Sequence, residues 1–206
     1  MSHLFTESCC ASLESVQRAV KAGTNRIELC RDLSVGGLTP SRELISAALE
    51  AAGSIPVNVL VRPRGGDFVY SREEIGQMLA SIGMCKELGV NGVVIGALTA
   101  DASVDLDGMH RMLDAARPLH VTFHRAFDEC AQPSAALEDI IGLGIERLLT
   151  SGHCADAYEG RFALQALVKQ AAGRIVIMPG CGITPANVAE IAAISGAREF
   201  HGTRLP

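Results

Sequence analysis

Two cysteines and two glutamates share one spacing at the ends of the first two predicted strands. The first strand ends Glu7-Ser8-Cys9-Cys10 and the second ends Glu28-Leu29-Cys30. Side chains alternate along a strand, so each glutamate faces the same way as the cysteine two residues later. Neighbouring strands lie about 4.8 Å apart. We therefore expect Cys9 and Cys30 to meet at one level, with the glutamates one layer deeper. Two soft thiolates suit Cu(I) or Zn(II).

The cysteines also have a simpler interpretation, because free cysteine often acts as a small buried hydrophobe. We prefer that interpretation for Cys10, Cys85 and Cys130. For Cys9 and Cys30 both interpretations stay open, since the neighbouring glutamates make that face polar. Carboxylates inside a barrel must be paired or protonated, and either condition perturbs their pKa.

The third predicted strand leads into a segment suited to anion binding. It reads Arg62-Pro63-Arg64-Gly65-Gly66-Asp67. Proline fixes the spacing, the glycines allow close approach, and arginine offers a planar fork for carboxylate or phosphate. Alternatively, Arg62 only neutralises Glu7, Glu28 or Asp67. We expect that structural role for one arginine, and leave anion binding open for the other.

The fifth predicted strand ends in a histidine, an arginine and a nearby aspartate. Strand alternation predicts that one of His124 and Arg125 faces the barrel axis and the other points outward. With Asp128 close by, His124 is a candidate metal ligand or general base. The alternative is a histidine that is hydrogen-bonded for structural reasons alone.

The last three strand ends are rich in small residues. They read Thr150-Ser151-Gly152-His153, Pro179-Gly180-Cys181-Gly182 and Phe200-His201-Gly202. Loops after the seventh and eighth strands of a barrel commonly bind phosphate through exposed backbone N–H groups. We therefore predict an anion site formed by Ser151, Gly180, Gly182 and Gly202, with Arg62 or Arg64. Glycine-rich loops also occur as plain turns.

The elements that must position these residues follow a repeated pattern. Amphipathic segments end in glycine, at Gly23, Gly53, Gly89, Gly144, Gly173 and Gly196, and each precedes a short apolar run. Glycine after a helix takes the left-handed conformation at low cost. Ser71 to Glu74 forms a capping box, and Pro133 begins another helix. Thr39-Pro40 and Thr184-Pro185 are also predicted as helix starts.

These repeats predict eight strands and seven helices. Repeated βα units without a second sheet favour a TIM-type (β/α)8 barrel of eight parallel strands, lacking the eighth helix, over the alternative of a doubly wound sheet. There is no G-x-G-x-x-G motif for a dinucleotide. The 206 residues fit one domain, predicted over 1–206.

Composition excludes several classes of protein. The net charge is −5 and no long basic run occurs, so a nucleic-acid partner is not expected. No stretch approaches the roughly 20 apolar residues of a membrane span. Met1 to Cys10 lacks the pattern of a signal peptide. Seven scattered cysteines then indicate reduced thiols in the cytoplasm.

Six segments together resemble the CutC family over almost the whole chain. They are Arg26 to Cys30, Gly36 to Ser41, Arg62 to Ser71, Val121 to Asp128, Leu149 to Gly152, and Ile177 to Ile183 with Glu199 to His201. The strings R-P-R-G-G-D and T-F-H-R-A-F-D are the most specific. The chain departs from the family at Cys181, where a third glycine is usual, and it stops earlier than most members.

The resemblance implies a TIM-type barrel, a cytoplasmic location and copper homeostasis with Cu(I) as the bound ion. The proposed ligand cysteines of the family fall on Cys9 and Cys30, with His124, His201 or Cys181 as further candidates. A nearby arginine is expected to lower the thiol pKa.

Two further hypotheses stay open. One is a barrel lyase, isomerase or hydrolase acting on a phosphorylated or carboxylated molecule, with Glu7, Glu28, His124 and Asp128 as candidate proton carriers. The other is a salt-bridge network that binds no ligand. We also expect a homodimer, because the missing eighth helix should leave apolar surface uncovered on the eighth and first strands.

Overall fold

The computed structural model describes residues 4–205; Met1 to His3 and Pro206, which the predicted domain also covers, lie outside the described residues. Eight parallel strands form a nearly closed barrel in the order β7-β6-β5-β4-β3-β2-β1-β8. The strands are β1 Phe5–Cys10, β2 Arg26–Leu29, β3 Val57–Leu60, β4 Gly92–Ile95, β5 His120–Phe123, β6 Arg147–Thr150, β7 Val176–Pro179 and β8 Glu199–Gly202. The predicted fold class is confirmed.

In the described part of the chain, seven α-helices cover the outside of the barrel, as predicted. They are α1 Leu13–Ala22, α2 Arg42–Ala52, α3 Arg72–Leu88, α4 Leu106–Ala116, α5 Pro133–Gly142, α6 Arg161–Ala171 and α7 Val188–Ser195. Fully buried apolar side chains such as Ile45, Ile82 and Leu137 pack between helices and strands. Within residues 4–205, none of the helices has the length and apolar character needed to cross a membrane.

Local helix signals were mostly correct. The capping box of α3 forms between Ser71 and Glu74, and Pro133 begins α5. The two Thr-Pro starts were wrong. α2 begins at Arg42 with Ser41 as its cap, and α7 begins only after Asn187. In the second case the carbonyl of Thr184 accepts from the amides of Asn187 and Val188, so a turn precedes the helix.

The strand register differs from the expected one by two residues. Cys9 pairs with Glu28, and Glu7 pairs with Arg26 on one side and His201 on the other. Closing a barrel requires neighbouring strands to be staggered, and sequence alternation does not report that stagger. Cys9 is therefore level with a carboxylate, and Cys30 lies beyond it toward the mouth.

The outer face of β8 and β1 is covered, contrary to expectation. Phe200 is fully buried, and Thr6 and Ser8 are also buried. The hydroxyl of Ser8 donates to the carbonyl of Leu205, 3.3 Å away, so the segment after β8 lies against β1. The uncovered apolar surface from which the homodimer was predicted is therefore not present on these strands. The homodimer stays a prediction, which light scattering would test.

Candidate functional site

A cavity of about 800 Å³ opens at the carboxyl ends of the strands. Nine of the predicted site residues line it: Cys9, Glu28, Arg62, His124, Asp128, Cys181, Gly182, His201 and Gly202. Glu7, Cys30, Arg64, Ser151 and Gly180 do not. The first four strands and the last four both contribute, as expected of parallel strands whose carboxyl ends meet at one end of a barrel.

The thiols of Cys9 and Cys30 lie together at the edge of this cavity. Their sulfur atoms are 3.9 Å apart, and all seven cysteines are free. Cys30 is fully buried, whereas Cys9 is partly exposed. Gly37, at φ +90°, passes close behind Cys30. A Cβ there would lie 3.6 Å from the Cys30 sulfur and 2.8 Å from Leu60, so glycine is required for this approach.

The expected lowering of the thiol pKa does not occur at Cys9. A hydrogen bond with Cys30, burial, and the charge of Glu28 raise the pKa of the Cys9 thiol well above its usual value. A Glu28 carboxylate oxygen lies 3.7 Å from the sulfur. Arg62, the arginine expected to help, instead bonds to backbone carbonyls.

A histidine between two glutamates forms the floor of the cavity. Nδ1 of His201 lies 2.9 Å from Glu7, and its Nε2 lies 3.9 Å from Glu28. Burial lowers the pKa of His201, but the charge of Glu28 and the hydrogen bond to Glu7 outweigh it and raise this pKa to about 9. Burial alone would raise the pKa of Glu7. The hydrogen bonds and positive charges of His201 and Arg26 outweigh burial and lower this pKa to about 2. His201 is therefore a cation at neutral pH.

Glu28 differs from Glu7 because one of its oxygens has no partner. Oε2 of Glu28 is buried and makes no hydrogen bond within residues 4–205. Burial raises the pKa of Glu28, and the charge of His201 only partly opposes this. Potential ligand atoms of Cys9, Glu28 and His201 all lie within 4.8 Å of one another. The sequence did not predict Glu28 as a metal ligand, because the expected register placed it one layer below the thiols.

Arg62 is buried without a carboxylate partner. Its Nη1 donates to the carbonyls of Val35 and Gly37, and its Nη2 donates to that of Gly66 at 2.8 Å. The guanidinium lies 4.7 Å from the centre of the Phe68 ring. The alternative in which Arg62 neutralises a buried carboxylate was therefore wrong: no described acidic group forms an ion pair with it.

Arg64 has a structural position outside the cavity. Its guanidinium pairs with Asp67 at 3.0 Å and Glu74 at 2.5 Å, and it also donates to the carbonyl of Val69. Because Glu74 is also part of the α3 capping box, Arg64 joins the loop after β3 to the helix that follows. Its five donors are used by Glu74, Asp67 and the carbonyls of the loop, which leaves none for an anion in the cavity.

His124 and Arg125 both line the cavity, which corrects the expected alternation. The strand β5 ends at Phe123 and a short 3-10 helix, Arg125–Glu129, turns the chain back over the mouth. Nδ1 of His124 accepts from the amide of Ala126 at 3.2 Å. Burial, with the charge of Arg62, lowers the pKa of His124 to about 3, so the ring is neutral.

Asp128 organises the loops after β5 and β6. It accepts from Arg125, from the hydroxyl of Thr150, and from the amides of Ser151 and His153. With this many donors Asp128 is committed to orienting its neighbours. Ser151 also donates to the carbonyl of Cys154, 2.7 Å away. These two residues hold the wall of the cavity and present no free group to it.

The predicted glycine cradle forms only in part. The amide of Gly180 donates to the carbonyl of Thr150 and so cannot bind an anion, whereas Gly182 and Gly202 line the cavity. Cys181 lies between Gly180 and Gly182 in the sequence. Its φ is +76°, a strained conformation for a residue with a side chain. Its thiol lies at the mouth and donates to the carbonyl of Ala155, 3.4 Å away.

Three comparisons relate this geometry to known proteins. A model described as the CutC family matches residues 4–205. A CutC family protein from Parabacteroides distasonis is 49% identical over 195 residues, which are 95% of this chain and 80% of that protein. The human copper homeostasis protein cutC homolog is also 49% identical over 195 residues, 95% of this chain and 71% of its own.

A solved structure agrees with the fold. The crystal structure of CutC from Streptococcus agalactiae superposes with a TM-score of 0.94 at 34% sequence identity, covering 99% of this chain and 100% of that one.

Proposed function

This chain belongs to the CutC family, and on that premise we propose that it serves copper homeostasis by binding one Cu(I) ion at the mouth of the barrel. The ligands are the thiolates of Cys9 and Cys30, and His201 is the candidate third ligand through Nε2. Free thiols of this kind require a reducing compartment, so the proposal places the protein in the cytoplasm.

The observation that carries the proposal is the 3.9 Å separation of the two sulfur atoms. Metal–thiolate bonds are about 2.3 Å long in zinc sites, so two thiolates on one ion lie at most about 4.6 Å apart. The pair is within that limit without movement of the backbone. Thiolate is the ligand type that Cu(I) prefers, whereas the nearby carboxylate of Glu28 better suits harder ions.

Binding must displace protons, because the raised pKa of Cys9 keeps this thiol protonated at neutral pH, and the His201 cation must lose its Nε2 proton before that nitrogen can bind copper. The apparent affinity for Cu(I) should therefore increase as the pH rises. This dependence would be absent if copper bound only to groups that are already deprotonated.

A competition titration with a Cu(I) chelator under reducing conditions tests the proposal. Wild type should bind one Cu(I), and Cys9→Ser and Cys30→Ser should each weaken binding by more than about 100-fold, since even outer partners of a metal site are worth up to that factor. Cys154→Ser is the matched control, because this thiol also lines the cavity but lies outside the proposed ligand set. Equal affinity in all four proteins would refute the proposal.

A second candidate function is a barrel enzyme for an anionic small molecule. The observation that favours it is the pairing of His201, a cation, with Glu28, whose pKa is raised, in one cavity. The His201 cation can donate a proton, and a raised pKa makes the Glu28 carboxylate a stronger base than usual, so the pair can donate and accept a proton. Lyase, isomerase and hydrolase chemistry on a carboxylated or phosphorylated compound all use such pairs.

Comparing wild type with Glu28→Gln tests this candidate. Each protein would be incubated with a small-molecule cell extract, and the extract analysed by mass spectrometry. The enzyme account expects a compound that wild type consumes and the variant does not. Identical extracts after both incubations would remove this candidate.

A further inference from the structure

Arg62 keeps unused hydrogen-bond donors inside the cavity wall. A guanidinium has five N–H groups. Three of these point to the carbonyls of Val35, Gly37 and Gly66. The remaining two are the Nε–H, which is buried and makes no hydrogen bond within the described residues although the equally unpartnered hydroxyl of Tyr70 lies nearby, and one N–H of Nη2. Neighbouring N–H groups of this kind form a fork that fits the two oxygens of a carboxylate.

His124 supplies a third unused donor beside this fork. Because Nδ1 accepts from a backbone amide and the ring is neutral, the proton lies on Nε2. That Nε2 is buried and has no partner within the described part of the chain. The rings of Phe68 and His124 are 4.9 Å apart, and the Arg62 guanidinium packs on the same Phe68 ring. The two donors therefore occupy one corner of the cavity.

The charge of Arg62 is also unmatched. The other buried or half-buried cations near the barrel axis are paired with carboxylates: Arg26 with Glu7 and Glu199, Arg147 with Glu199, and His201 with Glu7 and Glu28. Three cations thus face three carboxylates. Arg62 is a fourth cation, and its neighbours are backbone carbonyls, the Phe68 ring and the phenol of Tyr70. A buried charge without a counterion is costly, and an anionic ligand would remove that cost.

We propose that the corner formed by Arg62, Phe68 and His124 binds the carboxylate group of a small organic acid. The single unmatched positive charge of Arg62 fits a monoanion. The three donors, two from Arg62 and one from His124, fit the two acceptor oxygens of a carboxylate. The Phe68 ring is the neighbour that the bound carboxylate displaces, since the unused donors lie beneath the cavity surface. The rest of the acid extends toward the floor, where Cys9, Glu28 and His201 line the same cavity.

This site is independent of the copper proposal, because none of its donors belongs to the proposed metal ligands. It supplies the ligand class for the enzyme candidate. The same cavity could then hold a carboxylate at its wall and the reacting part of the molecule at its floor.

The test measures the melting temperature and the heat of binding with acetate, pyruvate, succinate and inorganic phosphate, without copper and at constant ionic strength. At least one carboxylate should bind wild type and raise its melting temperature saturably. Arg62→Met should weaken that binding about tenfold or more, because charge-assisted hydrogen bonds are lost. Arg62→Lys keeps the charge without the fork and should fall between the two.

Arg64→Met is the matched control, since this arginine lies in the same loop but outside the cavity; its affinity should stay within about twofold of wild type. Arg62→Met removes an unpaired buried charge but also leaves the carbonyls of Val35, Gly37 and Gly66 without their donor, so it should melt lower than wild type, and its binding is measured below its own melting temperature. Because every probe is measured without copper, carboxylate binding is observed separately from copper binding. Binding of phosphate alone, of no probe, or equally by Arg62→Met would each overturn the proposal.

Discussion

At the scale of single residues, the chemistry of the Cys9 thiol depends on its neighbour Glu28. The carboxylate oxygen lies 3.7 Å from the sulfur, and its negative charge adds to burial and to the Cys30 hydrogen bond in raising the pKa of the thiol. A residue that is level with Cys9 in the strand ladder therefore controls how readily the thiolate forms.

Replacing Glu28 by Gln should make Cys9 more reactive. The neutral amide removes the like charge, the thiol pKa falls, and the alkylation rate at a fixed mildly alkaline pH rises by up to about tenfold per pKa unit. Peptide mass spectrometry after iodoacetamide treatment would measure the rate at Cys9, with Cys181 as internal reference. The exposed Glu50→Gln is the control. An unchanged or slower rate at Cys9 would contradict the assigned role of Glu28.

At the scale of elements, the end of β4 must accommodate the imidazole of His124. Gly96 follows this strand, and a Cβ at that position would lie 2.7 Å from two atoms of the His124 ring. No real side chain tolerates such a distance, so either the ring or the strand end would move. The glycine thus positions a cavity residue on the neighbouring strand.

Gly96→Ala should accordingly destabilise the fold by about 1–3 kcal/mol, the usual cost of overpacking, and should weaken carboxylate binding through the displaced His124. Gly83→Ala is the matched control: it lies within α3 with no atom near its Cβ position, and alanine should stabilise that helix by up to about 1 kcal/mol. Denaturant unfolding measures both. Equal stability of the two variants would show that the ring has room to move.

The difference between local and non-local interactions explains which features could be predicted from the sequence. Glycines after helices and the Ser71 capping box act within a few residues, so the βα repeat and the barrel could be deduced. The pairing of Cys9 with Glu28 depends on the stagger between strands, which no local pattern encodes. The partners of Arg62 are carbonyls of two different loops, and a sequence does not show which carbonyls turn inward.

At the scale of the whole molecule, buried titratable groups make the stability of the fold decrease at both alkaline and acidic pH. His201 has a folded pKa of about 9, raised from 6.5, so its contribution is complete below pH 6.5 and is lost as the pH rises through 9. Glu7 has a folded pKa of about 2, lowered from 4.5, so its contribution is complete above pH 4.5 and is lost toward pH 2. His124, neutral when folded, also destabilises the fold as the pH falls below 6.5.

The free energy of unfolding should therefore be greatest near pH 6 to 7 and fall on the alkaline side by on the order of 3 kcal/mol up to about pH 9. In His201→Asn that alkaline decrease should largely disappear, whereas His110→Asn, on an exposed helix face, should keep it. Urea unfolding of the metal-free proteins across this pH range measures the effect. A parallel profile in wild type and His201→Asn would mean that the Glu7–His201 pair does not control it.

The most direct measurement of the proposed function is X-ray absorption at the copper edge of the protein loaded with one equivalent of Cu(I). Copper held by the two thiolates should show two sulfur neighbours in wild type, with at most one further nitrogen neighbour, and should lose a sulfur neighbour in Cys9→Ser and in Cys30→Ser. A spectrum with only nitrogen and oxygen neighbours, or one unchanged in both variants, would contradict it.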